Sequence, residues 1–69
     1  MKLITMIVGY NNEGRLNDFI DYIVENRSSL KNKDLNEVLK WAGRKPKDFD
    51  GKDKKIDEIL YYLKHEYCK

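Results

Sequence analysis

A chain of 69 residues is long enough for one domain but too short to bury a large core. Its 14 basic and 12 acidic residues give a net charge of +2, a balance too even for total charge alone to indicate a nucleic-acid partner. With a single cysteine, Cys68, the chain cannot form an internal disulfide, which favours a reducing compartment.

The longest apolar run, residues 3–8, is interrupted by Thr5 and is far shorter than the ~20 residues of a membrane span. Asn11, Asn12 and Glu13 follow it, so it lacks the continuation typical of a signal-peptide cleavage site. We therefore expect a cytoplasmic protein with no membrane partner.

The N-terminal segment, residues 1–9, is predicted to form a short β-strand. It contains β-branched Ile4, Thr5 and Val8, which favour a pleated and buried strand, and it is short for a helix. A helix is the alternative, because the aliphatic residues of this segment also fall on one face at helical spacing.

A lone strand exposes its backbone hydrogen-bonding groups, so this segment needs a partner. A short loop strand near Phe49 is one candidate. Antiparallel pairing of residues 2–8 between two chains would make a homodimer, and addition to a sheet edge of another protein is the third possibility.

Three amphipathic helices are predicted next, at residues 15–30, 34–42 and 53–67, with a basic loop over 43–52. Their apolar residues recur at helical spacing: Leu16, Phe19, Ile20, Ile23 and Leu30; Leu35, Val38, Leu39 and Ala42; Ile56, Ile59, Leu60, Leu63 and Tyr67. Phe19 and Phe49 are expected to fill the core between them. The predicted fold is therefore mainly α, a short N-terminal β-strand followed by three amphipathic helices in a small compact bundle of one domain.

Residues at the ends of the second and third predicted helices are of types that commonly cap or terminate helices. Asn32 or Asp34 is predicted to cap the second helix, and Asp50 or Asp53 the third. Gly43 is well placed just past the C-terminus of the second helix.

The sequence gives little indication of a catalytic or metal-binding site. Cys68 and His65, the only thiol and imidazole, lie one helical turn apart near the chain end, and no orienting third group accompanies them. A structural zinc site needs four ligands. A calcium loop with Gly51 at its sixth position would place Pro46, which has no ligand side chain, at its first. We expect no enzyme activity, no metal and no cofactor.

Positive charge is concentrated in one part of the chain. Residues 40–55 contain seven basic and three acidic residues, a net +4, whereas the rest of the chain carries −2. The start of the third predicted helix lies in this window, and free backbone N–H groups there suit phosphate. The residues nominated for nucleic-acid contact are Arg44, Lys45, Lys47, Gly51, Lys52, Lys54 and Lys55. The alternative is a solvated loop without a binding role.

Residues 34–63 resemble the SAP-type helix–extended-loop–helix DNA-binding motif. The segment from Asp34 to Gly43 is similar to the first helix of that family with its closing glycine. The segment from Gly51 to Leu60 is similar to the family's Gly-Lys segment and second helix. The resemblance implies that Gly51, Lys52, Lys54 and Lys55 approach the phosphate backbone. The linker between the two glycines is longer than is usual for the family.

These observations predict a small non-catalytic macromolecule-binding module, with weak DNA binding through the basic loop as the most specific function. The alternative is a phage- or plasmid-type adaptor or inhibitor that binds a single host protein. Tyrosine, tryptophan and an acidic helix face would then provide the contacts. The candidate contact residues for that function are Trp41, Tyr61, Asp18, Asp21 and Glu25.

Overall fold

The computed structural model describes residues 2–67, which form four α-helices. They are α1 (Leu3–Asn12), α2 (Leu16–Glu25), α3 (Asn32–Trp41) and α4 (Lys52–Tyr62). A 3-10 helix, Pro46–Asp48, lies in the α3–α4 loop, and a π-helical segment, Leu63–Tyr67, continues α4. The prediction of a mainly helical, compact fold is confirmed. Cys68, considered above as a nucleophile or metal ligand, lies outside the described residues.

The predicted N-terminal strand is wrong, because these residues form α1. Leu3 and Ile7, four residues apart, are 4% and 0% exposed, whereas Thr5 between them is exposed. A strand would have placed all three on one face. The low helix propensity of a β-branched residue costs well under ~1 kcal/mol, whereas burial of an Ile or Leu side chain contributes about 1.5–3 kcal/mol. Packing therefore decides the conformation.

The helical conformation of α1 also removes the reason for strand pairing. The backbone N–H and C=O groups of a helix bond within the segment, so residues 2–8 have no strand edge to offer a second chain or another sheet. α1 continues past the predicted strand, through Gly9 to Asn12. Gly14 ends the helix with a φ of +70°.

The helices pack around α3, which contacts both α1 and α4, while α2 packs on α1. The buried hydrophobic core comes from all four helices and their connections: Leu3, Ile7, Leu16, Phe19, Ile20, Ile23, Leu30, Leu35, Val38, Leu39, Ala42, Ile56, Ile59 and Leu63. The apolar residues that recur at helical spacing in the three predicted helices therefore supply much of the core, although Leu60 and Tyr67 are only partly buried. Phe49 is also partly buried and packs against the edge of this core.

Helix boundaries differ from the prediction mainly in α2, which ends at Glu25 instead of residue 30. The carbonyl oxygen of Asn26 accepts hydrogen bonds from the amides of Ser29 and Leu30, so residues 26–29 form a turn. Leu30 is nevertheless buried, at 6% exposure. No helix within residues 2–67 combines the length and apolar character needed to cross a membrane.

The N-terminal caps of the helices that flank the basic loop differ from the predicted ones. Lys31 precedes α3, so Asn32 is already a helical residue. Gly51 precedes α4 in the place predicted for Asp50 or Asp53, and no side chain of residues 2–67 caps either helix start by a hydrogen bond. The φ of Gly51 is +101°, a conformation that favours glycine.

The end of α3 follows the predicted glycine stop. Gly43 has a φ of +80°, and its amide donates to the carbonyl oxygen of Lys40 at 3.1 Å. The amide of Arg44 donates to the carbonyl oxygen of Leu39 at 2.8 Å. This pair of bonds is the Schellman arrangement, which satisfies the last carbonyl groups of the helix and turns the chain into the basic loop.

Candidate nucleic-acid interface

An open groove of about 780 Å³ lies between α3, the α3–α4 loop and the start of α4. Four lysines line it, Lys40, Lys45, Lys47 and Lys55, and we call it the lysine groove. Its lining also includes Arg44, a single carboxylate from Asp50, the amide side chain of Asn36, the backbone at Gly51, and two apolar side chains, Pro46 and Phe49.

The local sequence explains how these side chains come together. Asn36 and Lys40 are four residues apart on α3 and so share one face of the helix. Pro46 fixes its own φ and favours an extended conformation at Lys45, which has φ −99° and ψ 115°. The 3-10 turn that follows brings Phe49 back toward α4, where Lys55 lies in the first turns of the helix.

The four groove lysines have no ionic partner among the described residues. No carboxylate of residues 2–67 lies within 4.0 Å of any of their ammonium groups. Their positive charge is therefore available to an anionic ligand.

Two aspartates of α4 bind an arginine in the turn after α2. Arg27 Nε donates to Asp53 Oδ1 at 3.3 Å, and Arg27 Nη2 donates to Asp57 Oδ1 at 3.0 Å. These hydrogen bonds raise the pKa of Arg27, the one to Asp57 most strongly. One of the three negative charges of the basic window, that of Asp53, is thus paired with a residue outside the window.

Arg44 contributes less to the groove than its sequence position predicts. Its Nε donates to Glu58 Oε2 at 2.8 Å, its Nη2 donates to Glu66 Oε2, and its guanidinium carbon lies 5.4 Å from the centre of the Tyr62 ring. The hydrogen bond to Glu58 raises the pKa of Arg44. Two carboxylates offset its charge, so Arg44 ties the loop to α4 and the segment that follows it.

We predict that Arg44→Lys lowers the midpoint of thermal unfolding by a few degrees and leaves affinity for DNA unchanged. Lysine keeps the charge but loses the planar fork that bonds two carboxylates and stacks on Tyr62. Circular dichroism melting and a DNA titration measure the two properties. A loss of affinity with an unchanged melting curve would instead make Arg44 a phosphate contact.

The other nominated residues divide between the groove and its surroundings. Lys45, Lys47, Gly51 and Lys55 line the groove. Lys52 and Lys54 do not, and Lys52 Nζ donates to the carbonyl oxygen of Ser28 at 3.3 Å. The charge pattern therefore nominates lysines on both sides of α4, whereas the groove is lined from one side only.

The nominated contacts omit five residues of the groove lining: Asn36, Lys40, Pro46, Phe49 and Asp50. Lys40 belongs to the basic window, Phe49 is expected in the core, and Asn36 carries no charge or ring that would mark it in the sequence. An aromatic residue between Asp48 and Asp50 in a basic loop was the available signal for Phe49, because loops of this kind otherwise hold polar residues.

The side chain of Asn36 has an unsatisfied hydrogen-bond acceptor within residues 2–67. Its carbonyl oxygen, Oδ1, is buried and has no hydrogen-bond partner among the described residues. A buried acceptor without a partner costs about 1–3 kcal/mol, so the unpaired oxygen of Asn36 lowers the stability of the fold.

The residues nominated for a protein interface lie apart from the lysine groove lining. The Trp41 ring is partly buried and packs edge-on against Tyr62 at 5.7 Å and Tyr67 at 5.0 Å. Tyr61 is 54% exposed, with its ring 4.7 Å from that of His65. Trp41 therefore serves internal packing, whereas Tyr61 stands on the surface.

The acidic face predicted on α2 is present. Asp21 and Glu25 are exposed, and Asp18 Oδ2 accepts a hydrogen bond from Arg15 Nε at 2.9 Å. Val24, next to Glu25, is 48% exposed.

Within residues 2–67, no three His, Cys, Asp or Glu side chains are grouped in a way that could hold a metal ion. No family model, no curated protein and no solved structure matches the chain.

Proposed function

We propose that this protein binds DNA weakly through the lysine groove, without catalysis. One observation carries the proposal: four lysines converge on an open groove and no carboxylate of the described residues pairs with them. Contacts from lysine to phosphate supply affinity by releasing counterions, and they carry no sequence information. We therefore expect binding that falls steeply with salt and shows little sequence preference.

The helix order supports the same proposal. α3, the loop and α4 have the helix–loop–helix order that the SAP resemblance implies. Gly51 lines the groove at the start of α4, where no side chain of the described part of the chain caps the helix, so the first N–H groups of α4 favour an anion. The contact set differs from the one implied by the resemblance, since Lys40, Lys45 and Lys47 join Lys55 in place of Lys52 and Lys54.

Fluorescence anisotropy of a labelled DNA fragment, titrated with the protein at about 50 mM salt, tests the proposal at a low ionic strength where phosphate contacts are strongest. We expect saturable binding that is lost when salt is raised. The absence of binding at low salt would refute the proposal.

A second candidate function is docking to one protein through the α1–α2 half. Val8 and Val24 are the exposed aliphatic side chains of this half, at 43% and 48% exposure, and the acidic residues Asp21 and Glu25 lie near Val24 on α2. An acidic face opposes DNA approach and so favours a protein partner there. A pulldown that recovers one stoichiometric partner, before and after nuclease treatment, would support this function.

A further inference from the structure

We propose that the lysine groove takes single-stranded nucleic acid, with an unpaired base stacked on Phe49. The inference rests on the proposed function, because it specifies which form of nucleic acid the groove binds. It adds a base contact to the phosphate contacts of the lysines.

Phe49 provides the aromatic surface that such a contact needs. The residue is extended, with φ −117° and ψ 110°, and it packs against the core while also lining the groove beside Pro46. A cationic groove that contains an aromatic ring is the combination with which proteins bind single strands, since every base has a face that can stack.

A duplex cannot use this ring in the same way. In a paired helix the faces of the bases are covered by their neighbours, and only base edges and phosphates are accessible in the grooves. The Phe49 ring and Pro46 would then contribute little, and binding would depend on the lysines alone. The apolar part of the groove lining therefore favours a single strand.

Asn36 is a groove residue whose side-chain acceptor is unsatisfied within residues 2–67. Its Oδ1 atom lacks a partner among the described residues, although its residue lines the groove. Adenine, cytosine and guanine carry amino groups that donate hydrogen bonds, and these are free in a single strand. Oδ1 is buried, so the amide must turn toward the groove to accept such a bond.

The test compares three labelled probes at about 50 mM salt: a single strand of about twelve nucleotides in mixed sequence, the same strand annealed to its complement, and inorganic polyphosphate. Each is titrated with the natural protein, with Phe49→Leu and with Tyr61→Leu. Phe49→Leu keeps an apolar side chain at the core edge but removes the ring. Tyr61→Leu is the matched control, because it removes an exposed ring that does not line the groove.

We expect the single strand to bind more tightly than the duplex, and Phe49→Leu to weaken single-strand binding by roughly 5- to 150-fold. Binding of duplex and polyphosphate should change little in Phe49→Leu, and Tyr61→Leu should bind all three probes as the natural protein does. Fluorescence of Trp41, the only tryptophan, reports whether each variant is folded.

Equal binding of the single strand by the natural protein and folded Phe49→Leu would overturn the inference, as would a preference for the duplex. In either case the proposed electrostatic function would stand. If none of the three probes binds, the proposed function fails and this inference fails with it.

Discussion

Replacing Lys40, Lys47 and Lys55 together with glutamine should weaken DNA binding by roughly 10²–10³-fold at about 50 mM salt. Each lysine that contacts a phosphate adds one released counterion, so the loss of three also flattens the salt dependence. For a single strand, the slope of log K against log salt should become less steep by about 2. Anisotropy titrations over a range of salt concentrations measure both quantities.

The matched control is Lys31→Gln, Lys33→Gln and Lys64→Gln in one chain. These lysines are exposed and do not line the groove, yet their replacement removes the same net charge. We expect the control to lose far less affinity than the groove variant. Equal losses in the two variants would mean that total charge, not the groove, determines binding.

The second large effect is on stability, and it concerns the helix that replaces the predicted strand. Ile7→Ala should lower the free energy of unfolding by about 2–5 kcal/mol, because Ile7 is fully buried between α1 and the rest of the core. A domain of this size has only about 3–5 kcal/mol to lose, so a large unfolded population is expected. Urea unfolding followed by Trp41 fluorescence measures the change.

Thr5→Ala is the control for the same helix. Thr5 is exposed on α1, and alanine has a higher helix propensity than threonine, so we expect the free energy of unfolding to stay within about 0.5 kcal/mol or to rise slightly. In a strand, Thr5 and Ile7 would share one face and both changes would be costly. A large loss in Thr5→Ala would therefore contradict the helical assignment of α1.

Most of the helical core was predictable, because the spacing of apolar residues within each short segment is enough to indicate a helix and its buried face. In α2, Leu16, Phe19 and Ile23 recur at helical spacing, and the structure buries them. α1 was not predictable in this way. Its apolar residues fit both periodicities, and α1 carries no charged residue between Leu3 and Asn12 to mark an outer face. Contact with α2 and with α3, which begins about 20 residues further along the chain, settles its conformation.

The position of the candidate site was predictable from the sequence. The ion pairs that decide which of its charged side chains stay unpaired were not. Asp53 appears in the sequence as a neighbour that offsets Lys52, Lys54 and Lys55. In the folded chain it pairs with Arg27, which lies 26 residues away. The same kind of long-range pairing removes Arg44 from the free cations, since Glu58 and Glu66 come from α4 and the segment after it. Local charge counts do not contain this information.

The direct test of the free lysine charge in the groove is the salt dependence of DNA binding by the natural protein. If the four groove lysines each contact one phosphate, the slope of log K against log salt should be about −3 for a single strand and slightly steeper for a duplex. A slope near zero, or no binding at about 50 mM salt, would contradict the account.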